Sequence, residues 1–280
     1  MALFSDILLT VDFDRTLTDR DGNIPQRNLD AIRYFMDQGG VFTVNTGRSL
    51  PQSAEILRGV PMNAPYLCYN GSLTIQDGKI IDQHPIDLPL AETLQAVCHA
   101  FPDLNVDLHG LHAHVGFQPV GCWETYYAAR NCDYYLAGQR DDYGPFLKFN
   151  VYGPLRDDSF YQLFSATPEE AARIDEAAQW LQDTYGDKLT VFRAGAKLLN
   201  IHAPGVSKIR SARRLQETLG RKILVCVGDA ENDLPMLEGA DYAYCPADGT
   251  VADRFETVCP CGDGAVADVI YEKIPAILKG

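Results

Sequence analysis

Short apolar segments alternate with helix-forming segments at both ends of this 280-residue chain, and this alternation limits its fold more than any other feature. The N-terminal elements are predicted as strand Ile7–Val11, helix Asn23–Gly39, strand Val41–Val44, helix Ser49–Leu57 and strand Tyr66–Tyr69. The C-terminal elements are predicted as helix Ser207–Leu219, strand Lys222–Val227, helix Asp233–Glu238, strand Tyr242–Tyr244 and helix Gly264–Ile277. Strands joined through helices pair in parallel and are covered on both faces. The two ends therefore predict an α/β fold with a doubly wound parallel sheet.

The middle of the chain has a different pattern. Two β runs around Asp77-Gly78 are typical of a hairpin. After it, helices and strands follow in mixed order, with helices predicted at Leu90–Ala100 and from Thr167, which precedes Pro168, to Thr184. We therefore predict a discontinuous core domain over residues 1–83 and 204–280, interrupted by an inserted α+β domain over residues 84–203.

Composition excludes several classes of partner. The net charge of −14 disfavours nucleic acid, because phosphate backbones are bound by clustered Lys and Arg. No apolar run reaches the roughly 18 residues of a membrane span, and the N-terminus lacks the basic region of a signal peptide. The eight cysteines form no C-x-x-C pair, so free thiols are expected. We expect a cytoplasmic monomer or homodimer that acts on a small molecule.

Two aspartates follow the first strand, within Asp12-Phe13-Asp14-Arg15-Thr16. In open α/β sheets, ligands bind outside the carboxyl ends of the strands, so these side chains are at the expected place. Carboxylates one residue apart repel each other unless a cation or a ligand holds them. A turn after a strand is the alternative interpretation, because Asp is common in turns.

A second acidic motif, Gly228-Asp229-Ala230-Glu231-Asn232-Asp233, follows a later strand. Asp229 ends this strand and Asp233 begins a helix, so both should face the same crevice. Oxygen-rich clusters with one or two carboxylates suit Mg²⁺. The alternative is a Gly-Asp turn followed by an Asn/Asp helix cap.

Together, these two motifs resemble those of the haloacid dehalogenase superfamily, whose phosphatases form a phosphoaspartate. Thr43-Val44-Asn45-Thr46-Gly47-Arg48 is similar to its second motif, and Gly205-Val206-Ser207-Lys208 to its third. The Thr-Gly-Arg sequence and the Asn70-Gly71 pair are similar to the Cof-type branch, which has a Rossmann-like core and an α/β cap inserted between these motifs. One residue departs from the pattern, since Arg15 stands where the family usually has Gly.

The resemblance implies a mechanism and a set of site residues. Asp12 is the nucleophile, Asp14 is the general acid and base, Thr46 donates a hydrogen bond to the phosphoryl group, and Lys208 neutralises its charge. The residues implied in binding the substrate or its phosphate are Thr46, Gly47, Arg48, Asn70 and Lys208. The residues implied in binding Mg²⁺ are Asp12, Asp14 (through its backbone carbonyl), Asp229, Asn232 and Asp233.

The function that this resemblance implies is Mg²⁺-dependent hydrolysis of a small phosphorylated metabolite, such as a sugar phosphate, pyridoxal phosphate or FMN. A phosphomutase of the phosphomannomutase type is an alternative, but it needs a cationic cluster in the cap. The cationic residues there, Arg130, Arg140, Lys148 and Arg156, are scattered among acids. A non-catalytic phosphate-binding protein is a third interpretation. It is disfavoured because Asp12, Asp14 and Asp229 are all present.

Two further groups of residues in the inserted region are open to more than one interpretation. Strand alternation would put His112 and His114 of His109-x-x-His112-x-His114 on one face, but no further zinc ligand is evident. We therefore favour ordinary cap histidines over a metal or substrate site. An aromatic-rich stretch contains Trp123, Tyr126, Tyr127, Tyr134, Tyr135 and Tyr143. Packing in the cap core or at an interface is favoured over a substrate pocket.

Overall fold

A computed structural model describes residues 2–118, 120–130, 132–139, 144–155 and 160–279. Tyr143, Arg140 and Arg156, which the sequence analysis singled out, lie outside these residues. The chain divides into two compact units. Unit 1 comprises Met1–Gly47, Leu57–Asp82 and Ser207–Gly280, and unit 2 comprises Arg48–Ile56 and Gln83–Val206.

The strands of the described residues are β1 (Ile7–Val11), β2 (Val41–Val44), β3 (Tyr66–Cys68), β4 (Leu73–Gln76), β5 (Lys79–Gln83), β6 (Asn105–Gly110), β7 (Ala113–Gly116), β8 (Asp133–Leu136), β9 (Phe146–Tyr152), β10 (Thr190–Gly195), β11 (Leu198–His202), β12 (Ile223–Val227), β13 (Tyr242–Pro246) and β14 (Glu256–Val258). The α-helices are α1 (Gln26–Asp37), α2 (Leu50–Ile56), α3 (Leu90–Ala100), α4 (Gly121–Ala128), α5 (Pro168–Tyr185), α6 (Lys208–Thr218), α7 (Leu234–Glu238), α8 (Ala265–Asp268) and α9 (Ile274–Ile277). None of these helices is both long and apolar enough to cross a membrane.

Unit 1 is built on a five-stranded sheet in the order β14-β13-β12-β1-β2, in which all pairs are parallel. The central strand β1 is buried along its whole length, as expected for an apolar strand with both faces covered. Asn45, just after β2, bridges in parallel to Leu67 of β3, and β3 continues into a second sheet with β4 and β5. This is the doubly wound α/β pattern that the sequence predicts.

The register of the central strands brings the functional motifs to one edge. Val11 at the end of β1 pairs with Val227 at the end of β12 and with Val44 at the end of β2. Asp12, Gly228 and Asn45 are therefore the next residues of three adjacent parallel strands. The backbone N–H of Asp12 donates to the carbonyl of Val227 at 2.9 Å, and that of Asn45 donates to the carbonyl of Val11 at 2.9 Å. The motifs meet because the strands end in register.

Unit 2 contains a six-stranded mixed sheet in the order β10-β11-β9-β6-β7-β8. One face of this sheet carries apolar residues such as Leu108, Phe149 and Leu199, which pack with Leu94 of α3 and Ile174 of α5. Helix α5 begins with the predicted cap: Thr167 accepts from the Glu170 backbone, and the Glu170 carboxylate accepts from the Thr167 backbone. This capping box satisfies two groups that a helix N-terminus otherwise leaves unpaired.

The alternate residues of the same strands form a buried polar layer. Its members are Asp107, His109, His114, Lys148, Asn150, Asn200 and His202. The Asp107 carboxylate accepts from the Tyr127 hydroxyl at 3.1 Å and lies 3.3 Å from His109 Nε2. The rings of His109 and His114 stack with centroids 4.0 Å apart. The polar layer is thus a packed network rather than a solvated sheet face.

The predicted placement of the histidines is wrong. His109 of β6 and His114 of β7 are cross-strand partners and both are buried. His112 lies in the turn between these strands and is exposed. The alternation of side chains between the two faces stops at Gly110, where β6 ends. Counting alternate residues through the turn therefore pairs His114 with His112 instead of His109.

The aromatic stretch packs within unit 2, as favoured. Trp123 and Tyr127 are buried in a cluster with Tyr152, and Tyr126 and Tyr134 pack against that cluster. Tyr134 stacks on Tyr127 with ring centroids 5.3 Å apart, and Tyr135 is partly buried. These rings pack around Tyr127, whose hydroxyl group is hydrogen-bonded to Asp107.

Most predicted elements are found within a few residues of their predicted bounds. Helix α1 begins three residues later than predicted, with Pro25 at its N-cap instead of in its first turn. The predicted C-terminal helix consists of α8, a π-helical segment over Val269–Lys273 and α9. Three elements were missed: α4, β8 and β14.

The polar layer predicts acid sensitivity in unit 2. Burial lowers the pKa of His109, His114 and His202 well below 6.5, so the unfolded chain binds protons first as pH falls. Each histidine then costs up to about 1.4 kcal/mol of stability per pH unit below 6.5. Burial also raises the pKa of Asp107 to about 6, so protonation of this carboxyl favours the folded state as pH falls. This effect opposes that of the histidines, but it comes from one group and theirs from three.

Both tryptophans of the chain, Trp123 and Trp180, lie in unit 2, so their fluorescence reports its unfolding. We expect the unfolding temperature of the wild type to fall from pH 7.5 to pH 5.5. The variant His114→Phe keeps an aromatic ring but cannot take a proton, so its unfolding temperature should fall less steeply over this pH range. An equal pH dependence for both proteins would contradict the assignment.

Candidate active site

Three buried carboxylates meet at the edge where β1 and β12 end. Asp12, Asp229 and Asp233 each offer an oxygen atom, and these atoms lie within 4.8 Å of one another. Asp12 follows β1, Asp229 follows β12 after Gly228, and Asp233 ends the short 3-10 turn that leads into α7. The two acidic motifs of the sequence thus form one cluster.

The ammonium group of Lys208 holds two of these carboxylates. Lys208 Nζ lies 2.5 Å from Asp12 Oδ1 and 2.6 Å from Asp233 Oδ1. Only 1% of the Lys208 side chain is exposed, so this charge has been removed from water. A buried lysine is tolerated only when it is paired, and here charge-assisted hydrogen bonds to two carboxylates compensate for the lost hydration.

Other oxygen atoms of Asp233 and Asp229 accept hydrogen bonds that fix the loops carrying the cluster. Asp233 Oδ2 accepts from the backbone N–H groups of Asp229 at 3.0 Å and Ala230 at 3.2 Å. Thr16 donates its hydroxyl to Asp229 Oδ1 at 3.1 Å. The backbone carbonyl of Asp229 accepts from the N–H of Thr250 at 2.7 Å. The loop after β12 is therefore held from both neighbouring loops.

Gly228 is required by this packing. A Cβ at position 228 would lie 2.6 Å from Asp233 Cβ, which is closer than real Cβ atoms approach. Any side chain would therefore push Asp233 away from Lys208. The Gly-Asp-x-x-x-Asp spacing of the sequence follows from this contact.

Crowding in the cluster disfavours the charged forms of the Asp12 and Asp229 carboxyl groups. Burial, together with the neighbouring Asp233 and Asp14, raises the pKa of Asp12 to about 7, although Lys208 acts in the opposite direction. Burial and the charges of Asp233 and Asp12 raise the pKa of Asp229 well above its usual value. The attraction of Asp12 and Asp233 raises the pKa of Lys208, against the effect of burial. One ammonium group does not balance three buried carboxylates.

The donor set fits a hard divalent cation such as Mg²⁺. Carboxylate oxygens are its preferred protein ligands, and added positive charge would favour the ionised forms of Asp12 and Asp229. The carboxylate of Asp14 is not part of the three-residue cluster, and the family resemblance implies only its backbone carbonyl as a metal ligand. Asn232 lies in the turn beside Asp233 and is partly buried.

The second motif packs on β3 and the segment that follows it through backbone hydrogen bonds. The N–H of Thr46 donates to the carbonyl of Leu67 at 2.9 Å, and its own carbonyl accepts from the N–H of Asn70 at 3.0 Å. Thr46 and Asn70 are both buried. A Cβ at Gly47 would lie 2.8 Å from Asn70 Oδ1. The Asn70 side chain can therefore pack at this position only because Gly47 has no side chain.

The start of α6 packs on the same turn. Gly71 has a φ of +92°, and a Cβ there would lie 2.3 Å from Ser211 Oγ and 2.9 Å from the Ser207 carbonyl oxygen. Ser207 caps α6 by accepting from the Arg210 N–H at 3.2 Å. The absence of a side chain at Gly71 therefore allows the first turn of the helix bearing Lys208 to approach this segment closely.

Asn45 links β2 to the lysine motif and was given no role from the sequence. Its amide Nδ2 donates to the backbone carbonyl of Lys208 at 2.8 Å, while Asn45 itself is fully buried at the end of β2. Thr16 was quoted in the first motif but likewise received no role. Both are polar residues at strand ends within the motifs, and that position is the signal that could have identified them.

The other implied residues occupy different surroundings. Asp14 is partly buried in the turn after β1. Arg15, in the same turn, is exposed. Arg48 is the first residue of the segment that belongs to unit 2.

Comparison with known proteins agrees with this geometry. The family of haloacid dehalogenase-like hydrolases matches residues 9–252. No curated protein matches the sequence. Among solved structures, SMU.1108c from Streptococcus mutans UA159 is similar with a TM-score of 0.79 at 15% identity, over 96% of this chain and 98% of that chain.

Two similar structures are those of phosphatases of this superfamily. BT1666 from Bacteroides thetaiotaomicron has a TM-score of 0.74 at 17% identity, over 96% of this chain and 94% of that chain. The subclass IIB sugar phosphatase BT4131 has a TM-score of 0.72 at 15% identity, over 95% of this chain and 99% of that chain. These likenesses establish the fold, and the match to the family over most of the chain establishes membership. The chain belongs to the family of haloacid dehalogenase-like hydrolases, as its motifs predict.

Proposed function

We propose that this hydrolase is a Mg²⁺-dependent phosphatase of the Cof type that acts on a small phosphorylated metabolite through an aspartyl-phosphate. The observation that carries the proposal is the buried Asp12 carboxylate, held by Lys208 within a three-carboxylate cluster. A nucleophile must be fixed and kept anionic, and this arrangement does the first while a divalent cation would complete the second.

In the first step, a carboxylate oxygen of Asp12 attacks phosphorus and forms a new P–O bond. The bond between phosphorus and the leaving alcohol breaks, and Asp14 gives its proton to the leaving oxygen. Lys208 holds Asp12 in one orientation through its 2.5 Å contact, so the attacking oxygen needs no reorganisation. Asp14 lies two residues from Asp12 in the turn after β1 and is partly buried, which suits the acid role that the family resemblance implies.

In the second step, Asp14 takes a proton from water, which attacks phosphorus and breaks the bond to Asp12. Inorganic phosphate leaves and both aspartates return to their starting forms. Thr46 would donate a hydrogen bond to the phosphoryl group, and its buried backbone is fixed by Leu67 and Asn70. Gly47, Arg48 and Asn70 would complete the substrate contacts, as the family resemblance implies. Phosphoryl transfer depends mostly on such positioning and charge.

Asp12, the Asp14 carbonyl and Asp229 would hold Mg²⁺, with Asn232 and Asp233 in support. The ion supplies charge that screens the repulsion between the anionic nucleophile and an anionic substrate. Asp233 is the member already engaged by Lys208 and two backbone N–H groups, which suits a supporting role.

We also propose that residues 84–203 are the inserted cap domain and that it selects the substrate. The family resemblance supports this, as does the separate hydrophobic core of unit 2. A sugar phosphate is one candidate, since the similar structure of BT4131 is that of a sugar phosphatase. Pyridoxal phosphate and FMN are the other candidates.

The first prediction concerns turnover. We expect hydrolysis of para-nitrophenyl phosphate that requires Mg²⁺ and stops on addition of EDTA. Asp12→Asn should lower kcat by about a thousandfold or more, because it removes the nucleophile. Asp14→Asn should lower it by about a hundredfold or more, because general acid–base catalysis contributes that much.

The surface variant Asp30→Asn is the matched control, since Asp30 is exposed on α1 and contacts only Gln26 and Arg33 among the described residues. Its turnover should equal that of the wild type. Undiminished turnover by Asp12→Asn would refute the assignment of the nucleophile.

The second prediction concerns the metal. Mg²⁺ should raise the unfolding temperature of the wild type, because a ligand that binds only the folded state stabilises it. Asp229→Asn should reduce or abolish this rise, whereas Asp30→Asn should keep it in full. The measurement is a thermal unfolding series from zero to millimolar Mg²⁺. An equal rise in all three proteins would show that the ion binds elsewhere.

The third prediction concerns Lys208. Lys208→Met leaves the carboxylates of Asp12 and Asp233 buried without their cation, which should cost about 3 kcal/mol. Lys222→Met removes an exposed pair with Asp6 and should cost less than about 1 kcal/mol. Urea unfolding at neutral pH without metal measures both. Equal losses would mean that the buried pairs contribute no more than a surface pair.

A further inference from the structure

Arg15 has a backbone conformation that its side chain disfavours. Its φ is +55° and its ψ is 16°, in the left-handed region. Residues other than Gly, Asn and Asp rarely occupy this region, because Cβ crowds the neighbouring carbonyl oxygen. A glycine would occupy this position without strain. The chain therefore keeps an arginine here at a cost in stability.

The surrounding turn enforces this conformation. The backbone N–H of Arg15 donates to Thr18 Oγ1 at 3.2 Å, and Thr18 in turn donates its hydroxyl to the carbonyl of Phe13 at 3.3 Å. Thr18 is almost completely buried. Before Arg15, Asp12 is bound by Lys208, and after it Thr16 is bound to Asp229. Arg15 thus sits on a short loop whose two sides are both tied to the acidic cluster.

The guanidinium group of Arg15 is free to bind something else. It is exposed and makes no hydrogen bond or ion pair with any residue that the structure describes. Other arginines of unit 1 pair with carboxylates, namely Arg20, Arg27, Arg33, Arg213, Arg214 and Arg254. An unpaired arginine is notable in a chain with 38 acidic and 24 basic residues.

The charges at the site indicate how an unpaired cation there would act on a substrate. Lys208 is already engaged by Asp12 and Asp233, so it has little capacity for a second anionic group on a substrate. A substrate with another anionic group beside its phosphate would meet the carboxylates of the cluster without compensation. A planar guanidinium group can bind a carboxylate or a phosphate through two parallel hydrogen bonds.

We propose that Arg15 determines specificity by binding a second anionic group, a carboxylate or a phosphate, on the leaving group of the substrate. The substrate class is then a phosphomonoester with two anionic groups. This inference rests on the proposed phosphatase function. Strain at residue 15 is retained because an arginine on this loop supplies an exposed guanidinium group, which a glycine could not.

The test compares three esters that share a chain length: propyl phosphate, 3-phosphooxypropanoate and propane-1,3-diyl bisphosphate. For each protein, kcat/KM of each doubly anionic ester is divided by kcat/KM of propyl phosphate. Comparing this ratio between variants cancels differences in leaving-group chemistry. The variants are Arg15→Gly, which relieves the strain, Arg15→Asn, which tolerates the left-handed conformation, and the surface control Arg33→Gln.

We expect the ratio to fall about tenfold in both Arg15 variants and to stay at the wild-type value in Arg33→Gln. The loss should lie mainly in KM, because the contact is made equally in the ground state and the transition state. A fall for 3-phosphooxypropanoate alone identifies a carboxylate as the bound group, and a fall for the bisphosphate alone identifies a phosphate. Unchanged ratios, or an equal fall of kcat/KM for all three esters, would overturn the proposal.

Two controls separate this proposal from the proposed function. If Asp12→Asn retains turnover of para-nitrophenyl phosphate, the phosphatase mechanism fails. If that variant is inactive while the ratios are unchanged, only the role of Arg15 fails. Arg15→Gly should also unfold about 2 °C higher than the wild type, since glycine removes the backbone strain. A lower unfolding temperature would contradict the strain on which the argument depends.

Discussion

The ammonium group of Lys208, set between the carboxylates of Asp12 and Asp233, is the interaction on which the rest of the site depends. It joins the end of β1, the start of α6 and the turn before α7, which lie far apart in the sequence. All three side chains are buried, so removal of Lys208 would leave two carboxylates without their cation. The smaller features of the fold serve this contact. Gly228 leaves room for Asp233, Asn45 holds the Lys208 carbonyl, and Asp233 binds the backbone of the loop that carries Asp229.

This arrangement leaves an excess of negative charge, and that excess explains the chemistry the site can support. Three carboxylates within 4.8 Å of one another share one ammonium group. Burial raises the pKa of Asp12 to about 7 and that of Asp229 well above its usual range, and a further cation would favour the ionised form of both. A divalent ion would therefore act on the nucleophile as well as on the substrate. The proposed need for a metal ion and the raised pKa of Asp12 both follow from this crowding.

Much of the core and its site could be predicted from the sequence, because the signals there are local. An apolar run followed at once by Asp, as at Val11-Asp12, or by Gly-Asp, as after Val227, marks the end of a buried parallel strand, where ligands bind. The links between motifs could not be predicted, since they depend on register and on helix placement. The contact of Asn45 with Lys208 and that of Thr16 with Asp229 are examples. Unit 2 was harder to predict: α4 carries aromatic residues without a clear polar face, and β8 is a short strand at a sheet edge. The missed strand of unit 1, β14, is likewise a short edge strand. The histidines were misplaced because the alternation was continued through a two-residue turn.

The central claim is that Asp12 becomes phosphorylated during turnover. The most direct measurement is mass spectrometry of peptides from enzyme quenched with acid while it hydrolyses para-nitrophenyl phosphate in the presence of Mg²⁺. The variant Asp14→Asn should be included, because loss of the general base slows hydrolysis of the intermediate. The account predicts a phosphoryl group on the peptide that contains Asp12, with more of it in Asp14→Asn if attack is slowed less than hydrolysis. Its complete absence in both proteins during active turnover, or its presence on another residue, would contradict the account.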